Sequence, residues 1–364
     1  MSNSPPPTAT QSIAGTPLDA ALPWPDAARR AHFHSWLQAL PSRYALQAAS
    51  LRLASADASF RRYLRIDGAG QTLIIMDAPP DKEDCQPFVQ VAQLMQAAGV
   101  RVPEILEWDQ THGFILLTDL GPRTMMQGLN PEAEPPLQSY MEAVDVLLRW
   151  QLASRPGVLP PYDRTVLLRE LQLYPQYYIA QHRKKTLSEK QNHTLADAFE
   201  RIMADNLAWP SVFVHRDFMP RNLMPSPAGM GVLDFQDAVY GPITYDIASL
   251  MRDAFISWDE SFCLDVTVRY WQKARKAGLP VGSDFGEFYR GVEWMGLQRH
   301  IKIAGIFARL TLRDGKPQYL VDTPRFIAYI RATCSRYMEL KPLLRLVEEL
   351  EDIQNPGTFV FGRS

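Results

Sequence analysis

Hydrophobic positions change their period about a third of the way along this chain. Between residues 51 and 118 they fall in short runs, at 51–54, 60–66, 72–76, 104–108 and 114–118, each the length of a β-strand. Asp67-Gly68-Ala69-Gly70 joins the second run to the third, and Asp-Gly between such runs is a strong hairpin signal. A helix is predicted over 27–40, with Asp26 as its cap and Phe33, Trp36, Leu37 and Leu40 on one face. Another is predicted over 87–98, stopped by Gly99. Beyond Gly121 the spacing turns helical, with Leu137, Tyr140, Met141, Val144, Leu147 and Leu148 recurring on one side. Further helices are predicted at 165–182, 187–207, 245–256, 260–277, 285–310 and 323–340. Two strand-like pieces, 212–214 and 231–233, interrupt them, and no internal repeat is present.

This pattern predicts an α+β chain. A flexible tail over 1–25 precedes a small antiparallel-sheet lobe over 26–121, and a mostly helical lobe fills 122–364. The tail reading rests on six of the 29 prolines falling within the first 25 residues. At 364 residues, with 46% hydrophobic and 21% charged positions, the chain suits two lobes with a sizeable core. A net charge of −2, from 38 basic and 40 acidic residues, gives no electrostatic case for nucleic acid or an acidic membrane surface. No apolar run reaches membrane-spanning length. The first residues lack the basic and apolar regions of a signal peptide. Cys85, Cys263 and Cys334 read as free thiols of a reducing compartment. A cytoplasmic monomer is the expectation.

The chemistry concentrates around the two strand-like pieces. His215-Arg216-Asp217-Phe218-Met219-Pro220-Arg221-Asn222 follows the first, and Leu233-Asp234-Phe235 follows the second. An Asp able to accept a hydroxyl proton, an Asn five residues later able to reach Mg²⁺, and a second Asp able to bridge Mg²⁺ to phosphates have the spacing that phosphoryl transfer from ATP requires. Such catalysis is mostly positioning and electrostatics, so a few placed oxygens suffice. A sheet lobe, a hinge and a helical lobe with two catalytic strands make a bilobal protein-kinase-like architecture.

These residues resemble the aminoglycoside phosphotransferase and choline kinase branch of that superfamily, over roughly residues 50–340. Gly241-Pro242 and Tyr245-Asp246-Ile247-Ala248 continue the order. Asp57-Ala58-Ser59-Phe60-Arg61-Arg62-Tyr63, Met76-Asp77-Ala78-Pro79-Pro80 and Gly305-Ile306-Phe307-Ala308-Arg309-Leu310 resemble one group in particular. That group is the kinases acting on the anomeric hydroxyl of N-acetylmuramate and N-acetylglucosamine in bacterial cell-wall recycling. The resemblance implies ATP and Mg²⁺, with Asp217 as catalytic base, Asn222 and Asp234 as metal ligands, and His215 and Asp246 as supports of the loop. It places a phosphate-covering turn at 54–60, where Ser55 or Ser59 supplies hydroxyls in the absence of glycine, and an adenine hinge at Leu117, Thr118, Asp119, Leu120 and Gly121. The third strand departs from the pattern: it lacks the usual Lys, and Arg62 or Arg65 on the neighbouring strand is the candidate replacement.

Several positions carry two readings. Arg216 stands where the antibiotic kinases usually have Gly, and contacts a carboxylate or is simply solvated. Asp237 approaches metal or substrate, or belongs to a surface loop. Trp294, Gln298, Arg299, His300 and Lys302 lie on one long helix where this branch binds its acceptor. An aromatic with polar neighbours suits a sugar and a cation suits a carboxylate, but a helix with one core face and one wet face has the same pattern. An antibiotic- or choline-type kinase is the alternative function, and a nucleotide-binding pseudokinase a further one. A protein kinase is disfavoured, because only about a dozen residues separate Asp234 from the next helix and no Ala-Pro-Glu follows.

Overall fold

The computed structural model describes residue 22, residues 24–55 and residues 60–353. Among them the chain divides into two compact units, Met1–Val89 with Pro103–Asp119 and Gln90–Val102 with Leu120–Ser364. Ser59 and the rest of the 56–59 turn lie outside the described residues, as do the Ser55 side chain and nearly all of the 1–25 segment.

Unit 1 is built on a five-stranded antiparallel sheet ordered β1-β2-β3-β5-β4. Its strands are β1 (Gln47–Ser55), β2 (Arg62–Asp67), β3 (Thr72–Asp77), β4 (Ile105–Asp109) and β5 (Phe114–Thr118). The β2–β3 hairpin closes at Asp67 opposite Thr72, and Gly70, at φ +71°, takes the left-handed position its turn needs. Helix α1 (Ala27–Ala39) begins where Asp26 accepts the Arg29 amide at 2.7 Å. Its Phe33 and Leu37 join Leu51, Leu64, Ile66, Leu73, Ile75, Phe114 and Leu116 in one core. Each such side chain contributes about 1.5–3 kcal/mol when fully buried. Helix α2 (Gln86–Ala97) starts in unit 1, but from Gln90 on it belongs to unit 2, and Gly99 at φ +71° follows its end.

Unit 2 is mostly helical. It contains α3 (Met125–Gly128), α4 (Leu137–Leu152), α5 (Arg164–Leu171), α6 (Glu189–Ala208), α7 (Thr244–Met251), α8 (Glu260–Lys276), α9 (Phe285–Leu312), α10 (Thr323–Arg336) and α11 (Lys341–Leu350). Two small antiparallel sheets carry the site: β6 (Ser211–Val214) with β9 (Val239–Pro242), and β7 (Leu223–Met224) with β8 (Gly231–Val232). Helix α9 is buried over most of its 28 residues and serves as the unit's axis.

Three predicted helices are shorter than their periodicity. The 165–182 stretch divides into α5 and a π-helical segment, Tyr174–His182, with Pro175 in its first turn. Gly305 of α9 permits this wider turn to approach, since a Cβ there would lie 2.4 Å from the Leu173 backbone. The 245–256 helix stops at Met251, and Asp253 then accepts the Phe255 and Ile256 amides at 2.5 and 3.1 Å. The 323–340 helix ends at Arg336. No described helix is long and apolar enough to cross a membrane.

Candidate active site

Strand β6 delivers the chain into His215, which is fully buried. The Asp217 amide donates to His215 Nδ1 (3.2 Å), and Nε2 stands 2.9 Å from the Leu233 carbonyl. A ring nitrogen that accepts from an amide carries no proton, so these partners select the neutral Nε2–H tautomer. His215 therefore ties the stretch ending in Asp217 to the residue before Asp234. Asp246, near the N-terminus of α7, accepts the His215 and Arg216 amides at 2.7 and 3.0 Å. Burial pushes its carboxyl up to about 6 against the opposing pull of those two amides.

Asn222 and Asp234 are brought together by pairing. Leu223 lies opposite Val232 in the β7–β8 ladder, and the Leu233 amide donates to the Asn222 carbonyl at 2.9 Å. Asn222 Nδ2 donates to the Asp217 carbonyl (2.9 Å) and approaches Asp234 Oδ2 at 3.5 Å. With its nitrogen so committed, the Asn222 Oδ1 is the atom available to a hard cation. Gln236 Nε2 holds Asp234 Oδ1 at 2.9 Å. Among the described residues no cluster of three His, Cys, Asp or Glu has metal-binding geometry. Mg²⁺ does not need one, because it takes one or two protein oxygens together with phosphates and water, and the Asn222–Asp234 pair fits that donor set.

Two residues here are left-handed without being glycine: Arg216 at φ +76° and Asp234 at φ +62°. Each costs on the order of 1 kcal/mol and persists because neighbours over-determine it. The Arg216 carbonyl accepts from Arg299 Nη1 (2.6 Å) and Ser249 Oγ (3.3 Å), and its Nη2 donates to Glu170 Oε1 at 2.5 Å. Asp217 keeps 44% of its side chain exposed. Burial raises its carboxyl, but the Lys302, Arg299 and Arg216 cations outweigh that and hold it below the usual carboxylate range. Arg299 Nη2 stands 4.0 Å from Asp217 Oδ1, while its Nε and Nη2 are buried without a hydrogen bond.

The other predicted residues are placed as follows. Gln298 donates to Glu170 Oε2 at 3.0 Å. Trp294 is 2% exposed, edge-on to Tyr337 with Arg290 over its ring, so it offers no open face to a sugar. Asp237 is exposed. In unit 1, Arg62 is paired with Asp77 and Arg65 with Asp119 at 2.6 Å. Leu117 and Thr118 lie within β5, with the Thr118 amide donating to the Glu104 carbonyl at 3.0 Å, and Asp119 and Leu120 are the first residues past the strand. Glu170, Gln236 and the Lys302–Glu170 contact (3.0 Å) escape sequence reasoning. The one signal for Glu170 is an acid set between Leu167 and Leu171 on the buried face of α5.

Comparison with known proteins finds relatives of the whole chain. The model of a phosphotransferase enzyme family, APH, matches residues 50–281. A protein of Neisseria meningitidis serogroup B named N-acetylmuramate/N-acetylglucosamine kinase is 46% identical over 337 residues, covering 91% of this chain and 99% of the relative. A Pseudomonas aeruginosa protein of the same name is 46% identical over 332 residues, covering 89% and 98%. Among solved structures, a choline/ethanolamine kinase family protein from Mesorhizobium loti superposes with TM-score 0.59 at 15% identity, covering 88% of this chain and 99% of that one. The ADP-bound aminoglycoside phosphotransferase APH(2'')-Ib superposes with TM-score 0.52 at 13% identity, covering 83% and 96%. Those two similarities establish the protein-kinase-like fold.

Proposed function

This chain belongs to the APH phosphotransferase enzyme family, and on that premise we propose that it is an ATP-dependent sugar kinase acting on the anomeric C1 hydroxyl. Its acceptors are N-acetylmuramate and N-acetylglucosamine, the sugars named for its relatives. Because these are peptidoglycan sugars, the 1-phosphates feed cell-wall recycling in the cytoplasm. The observation that carries the reading is the meeting of Asp217, Asn222 and Asp234 through the His215 and β7–β8 contacts.

Asn222 Oδ1 and Asp234 would hold Mg²⁺, which supplies neutralisation of the β- and γ-phosphate charge. Asp217 accepts a hydrogen bond from the C1 hydroxyl and aims its oxygen at the γ-phosphorus. The new O–P bond forms as the bond to the β-phosphate oxygen breaks, ADP leaves with that electron pair, and Asp217 takes the hydroxyl proton. An Asp held below the usual range is a weak base. It suffices because in a loose transition state the hydroxyl loses its proton late. Arg62 and Arg65 can serve a phosphate only by sharing the carboxylates that already hold them.

Arg216, Arg299 and Lys302 beside Asp217 disfavour the cationic acceptors of an antibiotic- or choline-type kinase. Arg299 is the acceptor contact of choice, since its Nη2 lies within reach of a substituent next to the hydroxyl that Asp217 holds. Measuring ADP release with these two sugars, choline and an aminoglycoside tests the reading. Turnover confined to the amino sugars is expected, and turnover confined to the cationic acceptors would overturn it.

A further inference from the structure

Beneath the catalytic loop lies a carboxylate that the transfer chemistry leaves without a role. Glu170 of α5 is 5% exposed and receives four donors. Its Oε1 accepts from Arg216 Nη2 at 2.5 Å and Lys302 Nζ at 3.0 Å. Its Oε2 accepts from the Tyr162 hydroxyl and from Gln298 Nε2 at 3.0 Å. One side chain thus joins α5, the segment before α5, two turns of α9 and the residue immediately before Asp217.

We propose that Glu170 is a positioning residue for phosphoryl transfer, holding Arg216 so that Asp217 keeps its aim and engaging Lys302 so that this cation does not turn onto Asp217. The proposal rests on the reading of Asp217 as the group that orients the acceptor.

Two observations carry it. Arg216 occupies a left-handed backbone position that glycine would take without strain. A glycine there would be fixed only through its main chain, by Asp246 on the amide and by Arg299 and Ser249 on the carbonyl. The arginine adds a lateral anchor through Glu170, and its rotation would swing the next residue, Asp217. The second observation is electrostatic. Arg216, Arg299 and Lys302 surround Asp217, and two of these three end on Glu170. A charge-assisted contact is directional, so each cation that Glu170 holds is one whose donors point away from the acceptor site. Without Glu170, partly buried Arg216 and buried Lys302 are cations whose nearby anion is Asp217. Pairing with them would take the oxygen the acceptor hydroxyl needs. Glu170 touches neither substrate in this account and acts through Arg216 and Lys302.

Glu170→Gln, Arg216→Gly, their double variant and Asp217→Asn are compared by steady-state kinetics with N-acetylglucosamine, normalised to folded protein, alongside thermal melting. Glu170→Gln is expected to lower kcat at least about ten-fold with the KM for ATP within about two-fold. Arg216→Gly breaks the same link from its other end at a position suited to glycine, so it folds and also loses about ten-fold in kcat. The double variant is expected to be no more than about two-fold worse than Glu170→Gln alone. A melting temperature that falls while kcat stays at the wild-type value in both single variants would overturn the proposal, as would losses that multiply in the double. If Glu170→Gln does not fold, Arg216→Gly decides alone, and a wild-type kcat there rejects the proposal. Retained turnover in Asp217→Asn would instead reject the reading of the site itself.

Discussion

Arginines meet carboxylates in both units of this protein, but the two settings differ. In unit 1, Arg29 and Arg62 share Asp77, which is 2% exposed, and Arg65 takes Asp119 together with the Thr72 hydroxyl. Every one of these guanidiniums ends on a carboxylate. In unit 2, Glu170 accepts from Arg216 Nη2 and Lys302, but Arg216 Nε and Arg299 Nε and Nη2 are buried without hydrogen bonds, Arg299 Nη2 standing 4.0 Å from Asp217. Buried donors left unpaired cost roughly 1–3 kcal/mol each, so a native fold keeps them where they serve something else. The matched charge named in unit 1 fits architecture, and the unpaired donors beside Asp217 in unit 2 fit the proposed acceptor contact.

That contrast can be broken at several points. Asp217→Asn should lower kcat by about a thousand-fold with little change in melting temperature, because it removes the proton acceptor and keeps the shape. Asp77→Ala should do the reverse. Leaving Arg29 buried without its partner costs about 3 kcal/mol, read as a lowered denaturation midpoint in urea, while the kcat of the folded fraction holds. Arg299→Gln should reduce kcat/KM for the sugar by about ten- to a hundred-fold and leave the KM for ATP unchanged, seen in initial rates with each substrate varied.

A smaller effect concerns acid. Burial pushes the Glu170 carboxyl up, but Lys302, Arg216 and the hydrogen bonds from Tyr162 and Lys302 outweigh it and hold the group at about 2, against an ordinary 4.5. A depressed carboxyl contributes stability that is fully present above pH 4.5 and is lost as pH falls toward 2. Denaturation of wild type and Glu170→Gln at pH 6 and pH 3 should show their stability gap narrowing at the lower pH. Smallest of all, Arg65→Ala should change the KM for ATP less than about three-fold, since Asp119, itself held by the Thr72 hydroxyl, already engages that guanidinium. A larger rise would restore Arg65 as the stand-in for the absent strand lysine.

How far the sequence reached depended on whether a contact was local. Strands β2, β3 and β5 were readable because their apolar runs face one core, and α1 because Asp26 caps it. Strands β7 and β9 were not, since Leu223-Met224 runs straight into Pro225 and Val239-Tyr240-Gly241-Pro242 ends in Gly-Pro, which argue against a strand. Helix α11 does have a period, at Leu343, Val347 and Leu350, yet the predicted 323–340 helix runs over the break at 337–340 and stops where α11 begins. At the site, Asp217, Asn222 and Asp234 were legible because a short loop and a hairpin fix their spacing. Glu170 and Gln236 were not. Each is an ordinary polar residue until the fold presents Arg216 and Lys302 to one, and Asp234 to the other. Trp294 carries both readings in the sequence, acceptor contact or core face, and the fold selects the core face by enclosing it beside Tyr337.

The central claim is that the Asp217 centre transfers the γ-phosphoryl group of ATP to an anomeric oxygen. Phosphorus NMR of the enzyme with ATP, Mg²⁺ and N-acetylglucosamine tests it most directly. The account predicts a glycosyl 1-phosphate resonance that grows as ADP appears and is missing in Asp217→Asn. Phosphate on C6 or a ring hydroxyl, or a 1-phosphate that forms undiminished in Asp217→Asn, would contradict it.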